Sequence, residues 1–270
     1  ELAAIAEVCP NLHLRPPGPA RPRRRAALWA VGLAATAPPF GMPFEWLLLL
    51  VVPLPICMTI AILYYRLSRR QDATGEHAVS ARLRRLAGPA IIVLALTQTF
   101  ASVDWIMSLT PHWYSTIFGV YFFAGSFVGF IALLSVVSVA MRRAGLLDAL
   151  VSAEHLQDVG KFLFAFTAFW AYIAFSQFFL IWYANVPEET IWYQTRLEGS
   201  WQTVSLLLMV GHFAVPFLFL MGRDVKRRGS TLAVGGAWLL VMHYVDLYWQ
   251  VMPTLHPDGV RPSALDAAAV

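Results

Sequence analysis

FASVDWIMSLTPHWYSTIFGVYFF, residues 100–123, decides the fold. It reads as the outer end of one membrane helix, a tight polar turn, and the start of the next helix. The stretch carries an acid (Asp104), a histidine (His112) and four rings suited to a membrane–water boundary, Trp105, Trp113, Tyr114 and Tyr121. Thr110-Pro111 has the chemistry of a helix start. A hydroxyl N-cap is followed by proline at the first helical position, where no backbone N–H is needed. Polar groups where a chain leaves the bilayer are either anchors or the lining of a site.

Composition excludes an ordinary soluble domain. Hydrophobic residues make up 58% of the chain and charged residues 13%. Several apolar runs reach the length of a spanning helix. Net charge is +4, from 20 Lys+Arg against 16 Asp+Glu. The arginines cluster in loops, so they report membrane orientation and not nucleic acid. The two cysteines are Cys9 and Cys57, with no C-x-x-C and no C-x-x-C-H. That argues against an iron–sulfur cluster or covalently attached haem in this chain, and no metal site is expected.

The expected fold is all-α, a polytopic membrane helix bundle with six transmembrane helices and one short N-terminal apolar segment. Residues 1–43 form an arm rich in proline and arginine, with an apolar segment at 26–37 that is short of a full span and ends at Pro38-Pro39. The chain opens on Glu without the order of a signal peptide, and the natural start is expected to lie upstream. The bundle, 44–252, has spans at about 44–65, 86–109, 111–141, 162–184, 200–221 and 232–251. Pro53 and Pro55 should kink the first span. Residues 66–85 read as a polar loop, and LLDALVSAEHLQDVG before the fourth span as a short amphipathic helix. NVPEETIWYQTRLEG reads as an acidic-aromatic loop, and 253–270 as a polar tail.

Loop charge sets the orientation. The loops after spans one, three and five carry Arg66, Arg69, Arg70, Arg82, Arg84 and Arg85; Arg142, Arg143 and Lys161; and Arg223, Lys226, Arg227 and Arg228. The loops after spans two and four carry only Arg196. The basic loops are therefore expected in the cytoplasm, with the 108–112 turn, the 185–199 loop and the C-terminus outside.

Ionisable residues inside spans are costly, so each is a candidate site. His212 lies near the midplane of span five, His243 just past the middle of span six, Asp246 in its outer third, and Asp104 near the outer end of span two. His243 and Asp246 are three apart and share a helix face. Gln98, Ser176 and Gln177 add uncharged polar groups. Such a cluster lines a proton path or holds a quinone headgroup, whose carbonyls need donors. The structural alternative is that the acids bond to backbone or indole N–H groups and the histidines pack. Haem held by two histidines would need His212 and His243, the only suitable pair, and is disfavoured. Glu188 and Glu189 are outer-loop candidates as proton acceptors at an exit, against a solvated pair. Trp182, Tyr183, Trp192, Tyr193, Trp201, Tyr248 and Trp249 read as an outer aromatic belt.

Five blocks carry a resemblance: SVDWIMSLTPHWYSTIFGVYFFAGSF, FAFTAFWAYIAFSQFFLIWYANVPEETIWY, GSW at the start of span five, GHFAVPFLFL, and HYVDLYWQVMP in span six. In this order they resemble the ActF-type membrane subunit of bacterial alternative complex III, a quinol:cytochrome c oxidoreductase, within the NrfD or polysulfide-reductase membrane-subunit superfamily. The likeness covers about 83–253; family members have more spans at the front. It implies an integral subunit of the bacterial inner membrane in a respiratory or photosynthetic chain, without a covalent cofactor. Expected partners are a sister NrfD-like quinol-oxidising subunit, an iron–sulfur protein, multihaem cytochrome c subunits and a terminal oxidase, besides membrane lipid. The implied role is proton translocation, or a part in quinone-site architecture with menaquinone or ubiquinone. Asp104, His112, His212, His243 and Asp246 fall in the matching motifs. A quinone-binding subunit in its own right, and a transporter or scaffold, are the alternatives.

Overall fold

The computed structural model describes residues 53–146 and 151–260. Every regular element among them is helical. Helix α1 is Pro53–Thr74, α2 His77–Trp105, α3 Phe118–Arg143, α4 Ala153–Ala184 and α5 Pro187–Leu197. The next rod has three parts: α6 Gly199–Leu207, a π-helical stretch Leu208–Ala214, and α7 Val215–Met221. A short α8, Arg223–Arg227, leads into α9, Gly229–Leu255. Five rods are long and apolar enough to cross a membrane: His77–Leu109, Phe118–Arg143, Ala153–Ala184, Gly199–Met221 and Gly229–Leu255. The chain is thus a helical protein of multi-pass membrane character. The expected span at 44–65 lies partly outside the described residues, and its later part falls in α1. The 26–37 segment, the arm and the end of the tail lie outside them too. The expected proline kink falls at the edge of what is described.

Two loops of the sequence reading are helix. Residues 66–85 continue α1 to Thr74 and begin α2 at His77, with only Gly75 and Glu76 between. Gly75 takes φ +67, a left-handed conformation that ends α1 with little strain. Charge marks where a span leaves the bilayer; it does not break a helix whose backbone bonds are internal. Likewise α4 starts at Ala153, ahead of the apolar run at 162. Ser152 caps it: its Oγ accepts from the His155 N–H at 3.4 Å, and its own N–H donates to His155 Nδ1 at 3.1 Å. Asn185 closes α4 in the left-handed region, φ 49.

The 185–199 loop is mostly α5. Pro187 stands in its first turn and Glu188 and Glu189 follow, where acids favour the positive end of the helix dipole. The expected helix start at Thr110-Pro111 is corrected. Thr110 instead ends a 3-10 turn, Met107–Leu109, its N–H donating to Met107 O at 3.0 Å. Helix α3 begins only at Phe118. The unwound stretch lets Trp113 turn inward, buried and stacked on Trp192 with centroids 4.6 Å apart. Burial of a large ring outweighs the local preference for starting a helix at proline.

Helix α3 is the centre, packed on α2, α4 and α9. Gly125 and Gly129 lie one turn apart on its α9-facing side. A Cβ at Gly129 would stand 2.6 Å from Cδ2 of His243, so only glycine admits that ring. Close approach of α3 and α9 is what assembles the polar site.

Candidate functional site

Asp246 is fully buried on α9. The Tyr121 hydroxyl donates to its Oδ1, and the Gln250 amide donates to Oδ2 at 3.2 Å. The Trp170 indole flanks the same carboxyl: both lie within 3.4 Å of where a Cβ on Gly125 would be. His243 packs one turn earlier on α9. His212, completely buried, faces Trp170 edge-on with centroids 3.9 Å apart and stands 6.4 Å from His243. Both His212 nitrogens and His243 Nδ1 are buried without a protein partner. Asp246, His243 and His212 therefore form one group.

A π-helical turn places His212. In the π register Val215 N–H reaches back to Val210 O. Gly211 O would then need the N–H of residue 216, which is proline. The Trp238 indole N–H supplies the missing bond at 2.7 Å. Sequence and partner helix together hold the widened turn and the histidine on it.

A second proline shapes α9. Pro253 lacks the N–H that would serve Trp249 O, and its ring crowds that carbonyl. Arg196 of α5 fills the gap. Its Nε donates to Trp249 O at 3.2 Å, Nη2 to Gln250 O at 2.7 Å and Nη1 to Trp192 O at 2.9 Å. The guanidinium lies 3.6 Å above the Trp192 ring and 5.3 Å from that of Trp249. Burial lowers Arg196 from its usual range to about 9, which leaves it charged at neutral pH. Burial pushes the neighbouring Tyr193 phenol up. Arg196 thus fixes the backbone of Gln250, whose side chain holds Asp246.

A cavity of about 600 Å³ adjoins this network between α4, α5 and the α6 rod. Its wall is aromatic, with Trp170, Phe178 and Trp192 among its rings. Tyr121, Gln177 and Ser205 supply polar atoms. The Gln177 amide nitrogen is buried without a protein partner. Size and lining are those of a small-molecule site: mostly apolar, with a few placed donors.

The remaining candidates fall elsewhere. Asp104 is half-buried on α2, with Oδ2 unpartnered, and makes no hydrogen bond to the Asp246 group. His112 is exposed on the turn, and Gln98 is half-buried on α2. Glu188 and Glu189 stand in the first turn of α5. Ser176 and Gln177 are neighbours on α4, with Gln177 buried. The outer aromatic belt is partly corrected. Tyr183, Trp105 and Tyr114 are exposed as a belt requires, whereas Trp113, Trp192, Trp201, Trp249 and Tyr121 are buried. These rings pack against one another because α5 folds back over the bundle end.

Tyr121, Gln250 and Arg196 were missed as site residues. One signal for Tyr121 was present: Tyr121, Gly125 and Gly129 repeat at four-residue spacing, so a tyrosine heads a stripe of close helix contact. No family model matches the chain, and no curated protein matches it.

Proposed function

We propose that this chain is an integral subunit of a quinol-oxidising membrane complex of the alternative complex III type, and that the Asp246 group moves protons within it. The observation that carries the reading is the fully buried Asp246 carboxyl, held by Tyr121 and Gln250 inside a spanning helix. A buried ionisable group in a span is costly and is kept where it works. Two further facts support it. His243 and His212 continue the line where α9 meets the π-helical stretch, with buried nitrogens that have no protein partner. The GHF and HYVD blocks of the resemblance supply these three residues.

In this reading Asp246 accepts a proton, Tyr121 relays between it and the cavity, and the histidines extend the path. The partners are the sister quinol-oxidising subunit, an iron–sulfur protein and multihaem cytochrome c. The place is the bacterial inner membrane, basic loops on the cytoplasmic side and the C-terminus outside.

The cavity favours a second reading, that menaquinone or ubiquinone binds in this chain. The Gln177 amide is a free donor for a carbonyl, and the aromatic rings supply an apolar wall. A bound quinol would supply two protons and two electrons on oxidation.

The test is Asp246→Asn in the assembled complex. Quinol-driven proton release should fall about a hundredfold, the lower end of the usual worth of a proton-transfer group, while haem-bearing partners still co-purify. Normal release from that variant would make Asp246 structural. Quinone extracted from the chain purified alone, and lost in Gln177→Leu, would favour the second reading.

A further inference from the structure

Five leucines form a layer across the bundle between the Asp246 group and the basic end, at Arg227. Leu156 and Leu163 come from α4, Leu220 from α7, and Leu232 and Leu239 from α9. None is more than 1% exposed, and all belong to the buried core. The packing is close. Leu232 Cδ1 stands 3.3 Å from where a Cβ on Gly160 would be, and Leu220 Cδ2 3.3 Å from that of Gly235. Glycines on α4 and α9 thus let leucines of the facing helices fill the space that water would need. From His243 to Leu232 the layer is about 16 Å deep along the helix axis.

The polar groups in that depth are spent. Among the described residues, the buried polar side chains between His243 and the basic end are Ser135, Thr167 and Gln157. Ser135 Oγ donates to Ala132 O and Thr167 Oγ1 to Leu163 O, each at 2.7 Å within its own helix. Gln157 already belongs to the basic end, where it accepts from Arg227 at 3.0 Å. A proton hop needs donor and acceptor within hydrogen-bond reach, or one water between them, and a closely packed apolar layer admits no water. The other direction is unlike. Tyr121 bonds to Asp246 and also lines the cavity of about 600 Å³, whose wall includes Trp192 and Tyr193 of α5. Gln250, the second partner of Asp246, is fixed by Arg196 of the same helix. Polar groups therefore continue from Asp246 toward the α5 end and stop at His212 and His243 in the other direction.

We propose that the Asp246 group is open to protons at the α5 end alone, with the leucine layer sealing it from the basic end. This rests on the reading of Asp246 as a proton carrier. A proton that reaches its carboxylate leaves by the route it entered, over the Tyr121 hydroxyl and the cavity, and the two histidines stand at the blind end. The chain is then a one-sided proton store and not a channel across the membrane.

The experiment uses the whole chain in sealed lipid vesicles, in a background with Cys9 and Cys57 replaced by Ser. Ser205→Cys puts a thiol on the cavity wall, and Thr167→Cys puts one at the layer. Both changes nearly conserve volume, so the fold should tolerate them. A permanently charged thiol reagent, methanethiosulfonate ethyltrimethylammonium, present on both faces, should modify Ser205→Cys and leave Thr167→Cys unreacted. Under a potassium diffusion potential set by valinomycin, with pyranine inside, the parental chain should carry no more proton flux than empty vesicles show. Reaction at Thr167→Cys, an inert Ser205→Cys, or flux above that of empty vesicles would overturn the proposal. None of these readouts depends on turnover. Normal proton release from Asp246→Asn would therefore remove the carrier and leave the barrier standing.

Discussion

Arg196 is the residue on which the α5 end of the bundle turns. Among the described residues no carboxylate pairs with it. Three carbonyls and two indole faces carry its charge. Arg196→Ala should lower stability by about 3 kcal/mol, since it leaves buried carbonyls without donors. Arg196→Lys should recover less than half, because one ammonium group cannot span the fork. Thermal unfolding in detergent, followed by tryptophan fluorescence, measures both. A full rescue by lysine would mean that charge alone matters. In the sequence Arg196 looked like the one stray cation on the wrong side of the membrane. Its real cause is Pro253, more than fifty residues later, and no local pattern joins the two. His212, His243 and Asp246 were legible because a polar group in an apolar run is conspicuous by its cost. Tyr121 was not, because tyrosine is equally at home at an interface.

The rod from Gly199 to Met221 shows how an element can be read for its span and missed for its shape. Its apolar length was plain; its π-helical middle was not. That shape depends on Pro216 and on Trp238 from another helix. Trp238→Phe should cost about 1–2 kcal/mol by orphaning Gly211 O. Adding Pro216→Ala restores a backbone N–H, so the double variant should regain most of the loss. A double-mutant cycle on thermal unfolding reads this coupling. Strictly additive losses would show that the indole and the missing N–H are unrelated. The same distinction explains 66–85 and 153–161: charge in the sequence suggests where a span should leave the bilayer, while the helices run on past those positions.

For the molecule as a whole, the basic connections at one end and the α5 cap at the other define two unlike faces. Topology follows as an expectation from the arginines. In a background with Cys9 and Cys57 replaced by Ser, Tyr114→Cys should react with an impermeant maleimide added to intact cells, and Glu76→Cys only after lysis. Both positions are exposed. The reverse pattern would invert the chain and move the Asp246 group to the cytoplasmic half.

The clamp on α9 also has a history in time. Arg196 leaves the ribosome 53 and 54 residues ahead of the carbonyls it holds. At about 5–20 residues per second, that is an interval of several seconds. Throughout it the guanidinium lacks two of its three carbonyls and the second indole face, and α5 has Trp113 and Phe118, but not yet Trp249, to close upon. A product cut short before Trp249 keeps that cation with only the Trp192 carbonyl and ring for company. Synthesis of α9 supplies the rest at once, so the clamp is an order-dependent contact that closes only after residues 249 and 250 have been made.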